Sequence, residues 1–378
     1  LAGEGLVVPG ESDPPVDMNA HGAGSSSVAP ATSGLLRAFP PTNEPASNPT
    51  TPEKVALGRL LFFDPILSES DEVACATCHH PDLGFGDGRP TPAGAGGVSL
   101  SRNAPTLWNV AYTQSLFWDG RLSSLEEQAM VPLTHADEMA VGDPATMVAD
   151  LRAIPEYADL FRSAFGVEPD SITPEHVTMA LAAFQRTLIS DDSPFDRYAA
   201  GDFNALTPQQ RRGLAIFRSG ATRCFECHSA PTFASDTFRV IGVDSDDPGR
   251  AGVVADGLQG AFKVPTLRNI ALSAPYMHDG SMATLEAVID FYREGGGRAH
   301  GFDKVDVFVN PFDLSEQERA DLLAFLYALT DESGLPEIPA SVPSGLPVVG
   351  HVENPARAVA ASFNTGEPGA APIAGGAA

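Results

Sequence analysis

Two five-residue stretches, Cys75-Ala76-Thr77-Cys78-His79 and Cys224-Phe225-Glu226-Cys227-His228, constrain this chain more than anything else in it. Each reads C-x-x-C-H. Two thiols three positions apart can form thioether bonds to the two vinyl groups of one porphyrin, and the adjacent imidazole then falls over the iron as axial ligand. The competing readings of C-x-x-C are a redox dithiol or half of a zinc site. Here all four cysteines sit in these two motifs, each pair followed at once by His. The spacing therefore predicts two covalent c-type haems, held by Cys75, Cys78 and His79 and by Cys224, Cys227 and His228. No cysteine remains for a disulfide, so packing and the haems must hold the fold.

At 378 residues the chain is long enough for two domains with proper cores. It contains no apolar run of the length a membrane span requires. Because c-type haem is attached outside the bacterial cytoplasm, we expect a mature periplasmic protein whose export signal has been removed. The formal net charge of −26 argues against nucleic acid as a partner, since phosphate would be repelled. It would favour a basic partner, such as a small cytochrome or a basic patch on a protein substrate; plain solubility explains it equally well.

Residues 1–50, rich in Gly, Ser, Ala and Pro, read as an irregular arm, with His21 solvated; 334–378 read as an irregular tail. Order begins at Thr51-Pro52, a helix cap followed by proline at the first helical position. Leu57, Leu60, Leu61 and Phe62 then lead into the first haem motif. Thr207-Pro208 repeats the device before the second. One helix is expected from about 144 to 165, another from Thr173-Pro174, and a last one behind the capping box at Ser315–Glu318. The fold is predicted to be mostly α, with long loops: one haem domain over 51–190 and a second over 191–333.

An internal repeat supports that division. Pro105-Thr106-Leu107 recurs as Pro265-Thr266-Leu267, an offset of 160 (265 − 105), and at the same offset Asn109 meets Asn269, Asp119-Gly120 meets Asp279-Gly280, and Leu125-Glu126 meets Leu285-Glu286. The differences carry the chemistry. Trp118 stands against His278, and Pro132 against Tyr292. If this helix crosses the distal face of each haem, one iron faces a prolyl side chain that cannot ligate it, while the other faces a phenol that can.

With these residues in view, the chain over about 51–329 resembles the bacterial di-haem cytochrome c peroxidases and their relative MauG. The resemblance rests on Leu57-Gly58-Arg59-Leu60-Leu61-Phe62-Phe63-Asp64-Pro65, Arg102-Asn103-Ala104-Pro105-Thr106, Phe117-Trp118-Asp119-Gly120-Arg121, Asp192-Ser193-Pro194-Phe195-Asp196 and Ala274-Pro275-Tyr276-Met277-His278-Asp279-Gly280. It implies that His79 serves a peroxidatic haem and His228 an electron-relay haem. It implies further that Trp118 relays electrons or holes between them, and that Gln128 and Glu138 occupy the distal pocket where hydrogen peroxide binds. Asn103, with backbone oxygens of Ser273 and Pro275, would hold a calcium ion; the family usually has Thr where Ser273 stands. Tyr292 falls where ordinary peroxidases carry a methionine ligand and MauG carries tyrosine. The loop Ala93-Gly94-Ala95-Gly96-Gly97 lacks the histidine with which ordinary peroxidases often block the resting iron. Both departures lie on the MauG side.

Several of these residues have alternatives. Tyr292 could be a structural tyrosine, and Met277 is a nearby alternative ligand whose repeat position matches Phe117. Trp118 could be core, as Trp108 is expected to be. Glu138 is preferred to Asp137 as the group that moves a proton between the peroxide oxygens, with His135 a second candidate shuttle. His80 is expected at the surface or near a propionate, and His278 near the calcium loop. His176, His300 and His351 carry no functional reading, and Asp244-Ser245-Asp246-Asp247 reads as a charged surface loop. The favoured function is a peroxide-using enzyme that reaches a high-valent two-haem state and oxidises aromatic residues of a partner protein. The alternatives are a peroxidase fed electrons by a small cytochrome, and a non-catalytic di-haem electron carrier.

Overall fold

The computed structural model describes residues 39–365; His21 and most of the N-terminal arm lie outside them. The chain is mostly helical. Helix α1 (Pro52–Phe63) begins where Thr51 accepts a hydrogen bond from Lys54 N, and α2 (Cys75–Cys78) is the single turn of the first haem motif. Then come α3 (Leu125–Thr134), α4 (Pro144–Ala153), α5 (Pro155–Phe165), α6 (Pro174–Gln185), α7 (Pro194–Ala199) and α8 (Pro208–Phe217). Strands β1 (Ser235–Val240) and β2 (Ala261–Val264) pair antiparallel. Helices α9 (Leu285–Arg293), α10 (Glu316–Tyr327) and α11 (Pro355–Thr365) complete the order.

The single helix expected over 144–165 is two. Pro155 has no N–H to return to Leu151 O, and its ring would clash there, so the chain leaves the helix at Ile154 and starts again.

Two hydrophobic clusters dominate. One gathers Leu57, Leu61, Phe62 and Phe184 around the α1–α6 crossing; the other gathers Leu214, Phe217, Phe325 and Leu329 where α8 crosses α10. Both crossings turn on a glycine in the helix that precedes a haem motif. A Cβ at Gly58 would land on the Ala180 carbonyl, and one at Gly213 on the Asp321 carbonyl. Backbone cannot yield as a side chain tip can. Gly58→Ala is therefore expected to cost about 1–3 kcal/mol through overpacking, read as a lower denaturant midpoint of the holoprotein with its slope unchanged.

The C-terminal tail departs from its reading as irregular. It includes α11, and its upstream part straps the first cluster. Leu335, Ile338 and Val342 pack on the first, and Ser344 Oγ donates to Asp64 Oδ1 at 2.7 Å. Asp82 accepts from Val352 N at 3.0 Å and lies 2.9 Å from His351 Nδ1 and 3.3 Å from Arg357 Nη2. Burial alone would raise the Asp82 carboxyl, but Val352 N–H, His351 and Arg357 outweigh it and hold it below the usual range. His80, expected at the surface or near a propionate, is buried, its Nε2 2.9 Å from Gly350 O. Its task is to seat the strap.

Candidate haem-binding and catalytic site

A cavity of about 1150 Å³ is lined by both haem motifs together and by every residue read above as a ligand, relay or distal group. The imidazoles are preset. His79 Nδ1 lies 3.0 Å from Phe85 O and His228 Nδ1 3.0 Å from Phe233 O. A carbonyl only accepts, so each Nδ1 carries the proton and each Nε2 keeps its lone pair for a metal. Burial holds both imidazoles below the usual histidine range, which favours that neutral form. Phe85 and Phe233 both adopt positive φ (63° and 52°), turning their carbonyls back to the ring.

The donor chemistry fits two c-type haems. Burial pushes the Cys75 and Cys78 thiols up to about 12 and Cys224 to about 11. A cysteine pair followed at once by an imidazole with its Nε2 free, present twice, is the donor set that a c-type haem takes. The space above them is large, apolar-walled and continuous between the two motifs.

At the first motif, α3 brings Gln128 and Pro132 to the cavity wall. Glu138 follows on a turn closed by Glu138 N–H to His135 O, and Ala95 N donates to Glu138 O at 2.8 Å. The Ala93–Gly97 loop thus sits directly on this turn, and at Gly94 a side chain would strike the Asp137 carbonyl. Burial pushes the Glu138 carboxyl above its usual value, Asp137 adding to this while His135 and Arg121 oppose it. His135 Nδ1 is 3.9 Å from Glu138 Oε1. Asp137 is exposed.

At the second motif, α9 carries Tyr292 to the wall beside Cys224 and Cys227; burial first, then those two sulfurs, push its phenol well above the ordinary value. Met277 also reaches the cavity. Between the modules, Trp118 is pinned twice: its Nε1 donates to Asn103 O at 2.9 Å, and its own carbonyl accepts from Lys263 N at 2.8 Å. Trp108 is core, edge-on to Phe85.

Asn103 Nδ2 donates to Arg89 O and Pro90 O. Its Oδ1, Ser273 O and Pro275 O accept no hydrogen bond from the described residues, and all three residues line the cavity. Oxygens free of N–H partners are the donor set of a hard cation.

The acidic stretch Asp244–Asp247 is not merely a surface loop. Asp247 pairs with Arg102 through contacts of 2.6 and 2.8 Å, and Arg102 also reaches Asp119 at 2.6 Å. Ser245 Oγ lies 2.9 Å from His278 Nε2, and His278 stacks on Phe262. Arg102, Arg121 and Lys263 line the site without having been singled out; they lay inside or beside quoted motifs, but nothing local marks a cation as cavity-facing. Arg268, fully buried, bonds Asp196 and Pro231 O, two residues before Phe233.

Residues 52–204 match the family described as di-haem cytochrome c peroxidase. A methylamine utilization protein MauG of Methylorubrum extorquens is 46% identical over 302 residues, covering 78% of this chain and 84% of the relative. A cytochrome-c peroxidase of Pseudomonas sp. (strain SCT) is 38% identical, over 78% of this chain and 85% of the relative. Among solved structures, a MauG-like protein associated with microbial copper homeostasis superposes with a TM-score of 0.74 at 36% identity, spanning 80% of this chain and 96% of that one. The chain thus belongs to the di-haem cytochrome c peroxidase/MauG family, whose members carry two c-type haems.

Proposed function

We propose that this protein is a periplasmic, hydrogen-peroxide-dependent oxidoreductase whose product is oxidised aromatic side chains on a partner protein. The observation that carries this reading is Tyr292, an enclosed phenol in the cavity at the second haem motif, where an ordinary peroxidase would offer methionine. The 46% identity to a MauG protein supports it.

When bound, the haems supply one-electron iron chemistry and an open coordination position for peroxide. The chain does the rest. Pro132 offers no donor atom toward the first site, which keeps that face free for substrate. Gln128 presents an amide to orient the peroxide oxygens. Glu138, with its raised carboxyl affinity for a proton, takes a proton from the near oxygen and returns it to the far one, which leaves as water. His228 and Tyr292 would hold the second haem's iron and exclude water from it. Trp118, held by Asn103 and Lys263, spans the seam through which oxidising equivalents pass. Asn103, Ser273 and Pro275 would hold a calcium ion through their oxygens.

The duplication of one haem module explains why the halves match. Asn109 and Asn269 share φ near +60°, Phe117 and Met277 share positive φ, and the Leu116–Leu122 bridge matches the Tyr276–Met282 bridge. On this reading the two modules span 51–190 and 191–333.

Stoichiometric peroxide added to the diferric protein is expected to give a persistent near-infrared band, and the resting protein one high-spin and one low-spin ferric signal. Peroxidases with 38% identity favour a second reading, reduction of peroxide to water by a small cytochrome. Rapid turnover with reduced cytochrome, seen only after half-reduction and without the near-infrared band, would select it. Two low-spin signals would instead leave an electron carrier.

A further inference from the structure

Among the described residues the arginines around the cavity are ion-paired. Arg102 holds Asp119 and Asp247, Arg121 holds Asp119, Arg223 holds Glu226 and Arg239 holds Asp306. Lys263, on β2, forms no such pair. Its Nζ makes one hydrogen bond, to Thr113 Oγ1 at 3.3 Å. Burial pulls the ammonium below the usual lysine value, and the Asp236 carboxylate pulls it back up. That carboxylate is held by Thr113 Oγ1, Gln114 N and Ser115 N at 2.8, 3.1 and 2.9 Å.

The repeat explains what this ammonium does there. At the offset of 160, Lys263 is the mate of Asn103, Thr113 of Ser273, Ser115 of Pro275 and Trp118 of His278. The backbone obeys the same exchange. Asn103 N donates to His278 O at 2.7 Å, and Lys263 N donates to Trp118 O at 2.8 Å. Each module therefore hands the same position to the same turn of the other, and the seam contains two copies of one junction. One copy presents free oxygens at Asn103, Ser273 and Pro275. The other presents a lysine whose amine touches Thr113.

We propose that Lys263 is a built-in cation, its ammonium filling the second copy of the junction whose first copy takes a divalent metal. This rests on the calcium reading of the Asn103 site. At the first junction the Asn103, Ser273 and Pro275 oxygens lack N–H partners, and at the second the amine meets Thr113 Oγ1, which also holds the Asp236 carboxylate; oxygens gathered in this way are stabilised by a positive charge. A tethered ammonium supplies it permanently on the Trp118 side, so the relay turn stays seated whether or not metal is present. The His278 side depends on the ion.

The test counts calcium against iron in holoprotein dialysed from calcium buffer. Wild type should hold one calcium per two irons, and Asn103→Ala none. Lys263→Asn should hold two, since the amide oxygen joins Thr113 Oγ1 and the Asp236 carboxylate beside it in an oxygen site. Unfolding gives a second readout. Lys263→Met and Lys263→Asn should both melt below wild type, and added calcium should restore only Lys263→Asn. A Lys263→Asn protein that keeps one calcium and melts no differently with calcium than wild type overturns the inference. Wild type holding none while Lys263→Asn gains one would remove the calcium reading at Asn103 and leave the lysine's role standing.

Discussion

Tyr292→Phe is expected to retain both haems and yet lose the persistent doubly oxidised form altogether, with partner-protein oxidation falling below detection. Burial keeps the phenol protonated in the protein alone, so only a Lewis-acidic metal facing it would draw the proton off, and ligation and deprotonation occur together. A phenolate oxygen is hard and anionic and stabilises the more oxidised metal; methionine sulfur does the reverse. Tyr292→Met should accordingly raise the potential of the second haem by on the order of 0.1 V or more, within the roughly 0.8 V that axial ligands span. It should also make activity depend on prior half-reduction. Potentiometry and a peroxide titration followed into the near-infrared check both variants. A Tyr292→Phe protein that still forms the long-lived band would transfer the ligand's role to another residue, with Met277 a cavity-lining candidate.

Glu138→Gln should slow peroxide consumption by about 10²–10⁴-fold, the usual contribution of a positioned acid–base group, while haem spectra and peroxide affinity stay near wild type. The carboxyl acts first as a base, so the wild-type rate must fall as pH drops through its pKa. Burial, aided by Asp137, lifts that pKa above the ordinary value; the acid limb should therefore lie above about 4.3, the value of an unperturbed Glu. The limb should vanish in Glu138→Gln. Asp137→Asn, altering an exposed neighbour, should move the limb down slightly by removing a like charge and leave the maximal rate nearly unchanged. Stopped-flow rates across pH distinguish these outcomes. A Glu138→Gln enzyme within a few-fold of wild type would shift the assignment to His135, whose Nδ1 lies 3.9 Å from Glu138 Oε1.

What could be read in advance was what short segments decide for themselves. Thr51-Pro52, Thr207-Pro208 and Ser315–Glu318 start helices because a side-chain oxygen reaches an amide three residues on, whatever else the chain does. The haem motifs are equally local, since two vinyl groups set the cysteine spacing and the imidazole comes next in the chain. Pro155 was just as local, and the break it causes could have been foreseen. The register pairing Pro132 with Tyr292 was also visible, because the recurring segments keep one offset along the chain.

The tertiary structure alone decided which distant charges meet. Asp82 is tied to Val352 across 270 positions and Arg102 to Asp247 across 145. Either carboxylate, read along the chain, is a solvated acid. His80 looked exposed because its partner, Gly350 O, is equally far away. Lys263 beside Thr113 belongs to the same class: its amine has a meaning only once two modules face each other across a common seam. Hydrogen-bond and Coulomb partners are chosen by proximity in space, and beyond one helical turn proximity is a property of the closed fold.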